Sequence, residues 1–192
     1  MIKSYKINEK QNSIIIDQLS YIKSNYEVIR NECLNLDLKY YKEYKNFNEF
    51  STKKNSWKVY TLYYKGYKFF YNKHCEKTLS VLKKTNVVNA GFSLFYPGTI
   101  TTVHKGNTPY TFRSHLGIDV PSSCEFKIEN KYLSVKNGEM NFFPADLEHQ
   151  AWNKSNENRI ILILDFLRPE YKNKILYKNI FEKILLKIGD IL

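Results

Sequence analysis

Phe112-Arg-Ser-His-Leu-Gly-Ile-Asp-Val120 and Arg159-Ile-Ile-Leu-Ile-Leu-Asp-Phe166 decide how this chain folds. In an extended strand, successive side chains point to opposite faces. The first stretch therefore sets Phe112, Leu116, Ile118 and Val120 on one face, and Arg113 and His115 on the other. The second is apolar on both faces, except that Arg159 begins one of them and Asp165 stands near its end. A strand apolar on both faces is buried, which carries Arg159 into an enclosed space. An unpaired guanidinium in a low-dielectric interior is costly, so a buried arginine calls for an anion. Its planar fork of donors suits a carboxylate. Two arginines aimed at one lumen point to a small anionic ligand there.

Around these stretches, from Val87 to Leu167, short apolar runs alternate with turn residues. Pro97-Gly98, Lys105-Gly106-Asn107, Pro121-Ser122-Ser123, Glu129-Asn130 and Asn137-Gly138 supply the punctuation. Short strands at such spacing predict a sandwich or barrel. Upstream, residues 1–88 read mostly as helix and loop. Ile15, Leu19, Ile22, Tyr26, Ile29 and Cys33 recur at helical steps and predict one amphipathic helix; Cys75, Leu79 and Leu82 predict a shorter one. Between them, Trp57-Lys-Val-Tyr-Thr-Leu-Tyr-Tyr64 reads as a strand ending in a turn at Lys65-Gly66. From Pro169 onward a helix is expected, with Ile175, Leu176, Ile180, Ile184, Leu185 and Ile188 on one side. The expectation is one domain over 1–192. Residues 1–88 support it, 89–167 form a small antiparallel β-barrel that carries the site, and 168–192 add a C-terminal helix.

Composition narrows the function classes. The 192 residues are 43% hydrophobic and 16% aromatic, enough to enclose a core. A net charge of +11 raises the question of nucleic acid. The charge is mostly lysine spread along the chain, however, and the arginines are Arg30, Arg113, Arg159 and Arg168 alone. With no arginine cluster, zinc-finger spacing or RNA-binding signature, the charge reads as a solvated surface that attracts an anionic substrate or co-substrate. Cys33, Cys75 and Cys124 include no C-x-x-C pair, so neither a disulfide framework nor a thiolate zinc site is indicated. The run Ile14-Ile15-Ile16 is broken by Asp17, and no stretch approaches the ~18 apolar residues of a membrane span. A reduced cytoplasmic protein is the default expectation. Oligomeric state is not legible.

Three of the four histidines, His104, His115 and His149, fall in the β-rich half, while His74 lies beside Cys75 on a helix and suits a packing role. Imidazoles on neighbouring strands can present nitrogens to one metal. Five blocks of sequence then stand in order. They are Phe92-Ser-Leu-Phe-Tyr-Pro-Gly98, His104-Lys-Gly106, Phe112-Arg-Ser-His-Leu-Gly117, Glu148-His-Gln-Ala-Trp-Asn153 and Arg159-Ile-Ile-Leu-Ile-Leu-Asp165. In order and spacing this set resembles the aspartyl/asparaginyl β-hydroxylases, and the region from Trp57 to Cys75 resembles that family's upstream segment more loosely.

The resemblance implies a double-stranded β-helix (jelly-roll, cupin-like) barrel. It also implies an iron(II)- and 2-oxoglutarate-dependent dioxygenase that hydroxylates an unactivated C–H bond, with dioxygen as the other co-substrate. The substrate would be a peptide or small molecule, with the β-carbon of an Asp/Asn-like or other amino-acid-derived group as the target. His104 and His149 would hold the iron. Arg159 would bind the distal carboxylate of 2-oxoglutarate with Ser93 beside it, and Arg113 and His115 would hold its other end. Many related oxygenases add an acid two positions after the first histidine. Here that position is Gly106, a feature shared with this family and with iron halogenases. Glu148 neighbours His149 and would point away from it, whereas an aspartate placed at 106 would complete a three-residue centre. Before His149 the chain reads Phe143-Pro144-Ala145-Asp146 where the family has a more acidic stretch, which puts peptide specificity in question. The competing readings are a halogenase and a non-catalytic cupin-like binding module.

Overall fold

Strand alternation sorts the side chains of a computed structural model into three layers. The structure describes residues 2–43, 53–69, 73–106, 109–174, 176, 182–184 and 187. An eight-stranded sheet is built from β1 (Ile2–Ser4), β9 (Met140–Pro144), β6 (Thr111–Asp119), β11 (Arg159–Leu167), β5 (Val87–Phe95), β3 (Trp57–Tyr64) and β2 (Lys42–Glu43) in that order, with β4 (Tyr67–Lys68) also paired to β3. A three-stranded sheet follows the order β10 (His149–Asn153), β7 (Cys124–Ile128), β8 (Lys131–Leu133). Pairing is antiparallel apart from β1, which runs parallel to β9. Residues 99–104 run beside β10 through the bridges Ile100–Trp152 and His104–His149 and widen the smaller sheet.

One face of the large sheet carries Phe92, Leu94, Leu116, Ile118, Phe142, Ile160, Leu162 and Leu164, packed on Leu19, Ile22 and Ile29 of the helices α1 (Ser13–Ser24) and α2 (Tyr26–Leu34) and on Leu79 and Leu82 of α3 (Glu76–Leu82). The other face carries Trp57, Phe95, Phe143 and Ile161, which meet Phe126, Ile128 and Ala151 of the small sheet. The two apolar faces read from Arg159–Phe166 are thus both used, one by the helices and one by the second sheet.

Three expectations change. The stripe from Ile15 to Cys33 is buried as read, but the single helix is two. Asn25 takes φ −98° and ψ 18° and returns its side-chain amide to the Tyr21 carbonyl at 2.8 Å, competing with the helical ladder. The closed barrel is absent among the described residues: the strands form two facing sheets and none pairs into both. The large sheet ends in β1 and β2, three and two residues long, too short to carry a ladder onward to the other sheet. Residues 1–88 also supply β1, β2, β3 and β4 as well as helices, so the large sheet begins well before residue 89. The Lys65-Gly66 turn does form, both residues at positive φ (53° and 85°), and returns the chain into β4. Most of the expected C-terminal helix, with Ile175, Ile180, Leu185 and Ile188, lies outside the described residues, as does Asn107.

Candidate functional site

The space between the sheets collects the polar residues that interrupt otherwise apolar strands. Register places them in rows across the large sheet. Asn141, His115, Ile163 and Gly91 lie side by side, then Phe143, Arg113, Asp165 and Asn89, and on the opposite side Gly117, Ile161 and Ser93. Arg159 lies beyond that last row, opposite Phe95, which is itself opposite Trp57. His149 opens β10 on the facing sheet, paired with His104.

The two histidines are locked to each other by backbone bonds, His104 N to His149 O at 3.1 Å and His149 N to His104 O at 2.8 Å. Their ring centroids stand 4.4 Å apart. Each Nδ1 lies 2.8 Å from a carbonyl oxygen two residues earlier, Thr102 O for His104 and Leu147 O for His149. A carbonyl only accepts, so each Nδ1 carries the hydrogen and each Nε2 carries the lone pair. Burial lowers the pKa of both rings, with Arg113 and, for His149, His104 adding to the effect; His149 is pushed down to about 3. Both are therefore neutral imidazoles at ordinary pH, the form that ligates metals. Among the described residues no group of three or more His, Cys, Asp or Glu side chains comes together, so the histidines stand as a two-residue set. Glu148 turns outward to Lys105 at 3.9 Å.

Arg159 is 1% exposed, and its Nε and Nη2 have no hydrogen-bond partner among the described residues. Its guanidinium lies 4.9 Å over the Phe95 ring. Burial alone pulls its pKa down, to about 10, with only Cys124 opposing. The segments around Arg159 are tied together. Asn153 donates to the carbonyls of Phe95, Tyr96 and Glu157 at 3.1, 3.2 and 2.8 Å, and the Thr99 hydroxyl donates to Ser56 O at 2.9 Å. Ser93, also buried, accepts from Trp57 Nε1 at 3.0 Å.

Arg113 sits at the opposite, less enclosed end. Its Nε and Nη2 engage Asp165 Oδ1 and Oδ2 at 2.7 and 3.0 Å, across a register pair of β6 and β11. Two of its donors thus serve a carboxylate of the chain itself. His115 shares the Arg113 face, as alternation requires, and its ring lies 4.7 Å from Phe126 and 5.1 Å from Phe143. Neither ring nitrogen has a partner among the described residues. Burial, reinforced by Arg113, holds its pKa well below the usual histidine range.

Gly106 corrects an expectation. Its N–H donates to Ala145 O at 2.9 Å, and a Cβ added there would fall 2.6 Å from the same oxygen. A side chain at 106 would collide with the backbone that joins β9 to β10. An aspartate at this position therefore cannot complete the centre without moving the loop that carries His104. Asp146, in the departure from the family's acidic stretch, is paired with Arg168.

Residues 23–169 match the sequence profile of the aspartyl/asparaginyl β-hydroxylases. The chain belongs to that family. Among curated relatives, it is 31% identical over 118 residues to an ornithine lipid ester-linked acyl 2-hydroxylase of Rhizobium tropici, covering 59% of this chain and 42% of that one. It is 29% identical over 157 residues to the aspartyl/asparaginyl β-hydroxylase of Mus musculus, covering 78% of this chain and 21% of that one. This chain thus spans less than half the length of either relative. Among solved structures, the cupin domain of Cnp3 from Schizosaccharomyces pombe aligns with a TM-score of 0.44 at 11% identity, covering 63% of this chain and 72% of that one.

Sequence reading passed over Trp57, which holds Ser93, and Asn141. A polar residue inside the buried run Met140-Asn-Phe-Phe143 is the same signal that singled out Arg159, so Asn141 was findable. Trp57 offered no such signal, because an aromatic residue opening a strand is ordinary core.

Proposed function

We propose that this chain is an iron(II)- and 2-oxoglutarate-dependent hydroxylase. The observation that carries the reading is Arg159, a buried guanidinium with two nitrogens unpartnered among the described residues. A cation so placed costs stability that a visiting anion would offset. The neutral pair His104 and His149, each with Nε2 as its metal-binding atom, fits an iron ion, for which imidazole is a suitable ligand.

Each residue then has a task. Arg159 takes the distal carboxylate of 2-oxoglutarate through its fork of donors, and Ser93, held by Trp57, orients the same end. Four residue steps along β11 separate Arg159 from the His115 row, about 13 Å of strand, which the arginine stem and a five-carbon dicarboxylate would share. Arg113, fixed by Asp165, keeps positive charge beside the histidines and helps hold them neutral. Phe126 and Phe143 line the lumen and exclude water. When bound, iron would supply the activation of dioxygen that no side chain can provide. The overall change balances as R–H + 2-oxoglutarate + O2 → R–OH + succinate + CO2. The substrate class is an amino-acid-derived group offering an unactivated C–H bond, in keeping with relatives named for aspartyl/asparaginyl and for ornithine-lipid acyl hydroxylation.

The test is incubation with iron(II), 2-oxoglutarate and air, offering Asp- and Asn-containing peptides and ornithine lipids in turn. A product heavier by one oxygen, formed with an equivalent of succinate, supports the reading. Chlorine in the product would make the chain a halogenase. Failure to bind 2-oxoglutarate at all would leave a binding module.

A further inference from the structure

Alternation in the small sheet turns Phe126, Ile128, His149 and Ala151 inward and Glu125, Lys127, Gln150 and Trp152 outward. Register adds Tyr132, opposite Lys127, and Ile100, opposite Trp152, to the outward set. The described helices pack on the large sheet instead. Tyr132 is 61% exposed and stacks with Trp152, the ring centroids 6.2 Å apart and the planes 27° from parallel. Val103, next to the inward-facing His104, is 60% exposed. Rings and aliphatic side chains thus occupy a strand surface where alternation ordinarily sets polar groups.

The charges on and around this face are lopsided. Lys154 bonds Glu125 at 2.9 Å, and at the neighbouring edge Lys6 bonds Glu129 at 2.6 Å and Lys105 stands 3.9 Å from Glu148. Each of these carboxylates is matched by a lysine. Lys127 and Lys131 lie instead over rings, 5.7 Å from that of Tyr132 and 5.5 Å from that of Tyr5. The surplus is positive, in a chain of net charge +11.

A partner for this face must be anionic and must offer apolar surroundings to Trp152, Tyr132, Ile100 and Val103. A second copy of this chain is repelled by the same +11. A nucleic acid supplies phosphates and stacking bases but nothing for the aliphatic side chains, and the face holds none of the arginines. The interfacial zone of a bilayer meets both requirements. Trp and Tyr rings favour the headgroup level, aliphatic side chains reach the acyl boundary, and lysines are drawn to anionic headgroups. We infer that the outer face of the small sheet docks on an anionic phospholipid bilayer. Because β10 carries Trp152 outward and His149 inward, docking holds the histidine pair beside the membrane. Of the substrates offered above, it favours the lipid. That preference rests on the hydroxylase reading; the docking does not.

Trp57 and Trp152 are the only tryptophans, and Trp57 is buried, so a change of emission on adding vesicles reports Trp152. The metal-free protein is mixed at physiological salt with phosphatidylglycerol-containing vesicles or with pure phosphatidylcholine vesicles, and binding is read by co-sedimentation. Sedimentation with the anionic vesicles alone is expected, with a blue-shifted emission that brominated lipid quenches and that Trp152→Phe removes. Lys127→Gln with Lys131→Gln should lower the partition coefficient about tenfold, and Trp152→Ser with Tyr132→Ser at least as much. Circular dichroism checks that each variant folds. The lysine variant leaves the core untouched and decides the matter even if the aromatic one does not fold. No sedimentation with anionic vesicles, equal sedimentation with neutral ones, or undiminished partition of either folded variant would overturn the inference. So would quenching of Trp152 by a single-stranded oligonucleotide without vesicle binding, which would make the face a nucleic-acid site. Vesicle binding by a chain that holds neither iron nor 2-oxoglutarate would defeat the hydroxylase reading and leave the docking standing.

Discussion

Replacing Arg159 with methionine should make the unliganded protein more stable while abolishing its affinity for 2-oxoglutarate. The two effects have one origin. Burial moves the guanidinium pKa from 12.5 to about 10 with almost nothing to offset it. At 1.36 kcal/mol per pKa unit, that corresponds to about 3 kcal/mol of destabilisation in the folded, charged state. Methionine has a similar stem, needs no partner, and can lie on Phe95 as the arginine does. Part of the gain will be lost to imperfect packing, so a rise of about 1–3 kcal/mol is expected. Urea denaturation followed by circular dichroism measures it, and calorimetric titration with 2-oxoglutarate measures the lost binding. Arg159→Lys should retain little affinity, since it keeps the charge without the fork. A methionine variant less stable than wild type that still binds 2-oxoglutarate would refute the assignment, because Arg159 would then have a partner within the protein and no role for a visiting anion.

Joint replacement of His104 and His149 by alanine should remove stoichiometric iron binding, measured by metal analysis after dialysis, while the circular dichroism spectrum of the fold persists. Gly106→Ala should destabilise the protein by about 1–3 kcal/mol in the same denaturation assay, since its Cβ meets Ala145 O at 2.6 Å. Gly106→Asp should cost more and weaken iron binding; tight iron retention would show that the 104–106 loop moves freely. Acid should unfold the metal-free protein early. Unfolded histidines take a proton near pH 6.5, whereas folded His149 resists until about 3 and His115 also lies well below 6.5. The stability they contribute is present above pH 6.5 and falls by about 1.4 kcal/mol per histidine for each pH unit below it. Melting temperatures across that range should drop less steeply in His115→Gln.

What the sequence made legible was whatever alternation governs. β3 runs from Trp57 to Tyr64 as read, Arg113 and His115 share a face, and Arg159 is fully buried. These follow from a period of two and from the cost of exposing apolar strands. What escaped depends on partners far along the chain. The break at Asn25 is a local competition between side-chain and backbone donors for the Tyr21 carbonyl, which the apolar stripe does not register. Two facing sheets and a closed barrel require the same alternating pattern and differ only in how edges pair. Arg113 was read from its face alone, and the carboxylate that orients it, Asp165, stands fifty-two positions later in the chain. Gly106 was legible as a missing acid, but only the approach of Ala145 shows that the position faces backbone.

The central claim is that His104, His149 and Arg159 together form one centre for iron and 2-oxoglutarate. Anaerobic titration of the iron(II)-loaded protein with 2-oxoglutarate tests it most directly, by way of the visible charge-transfer absorption that the chelated complex develops. One equivalent should saturate that absorption in the wild type, and neither the double alanine variant nor Arg159→Met should develop it at the same concentration. Equal absorption in the wild type and both variants, or none in a wild type shown to hold iron, would contradict the claim.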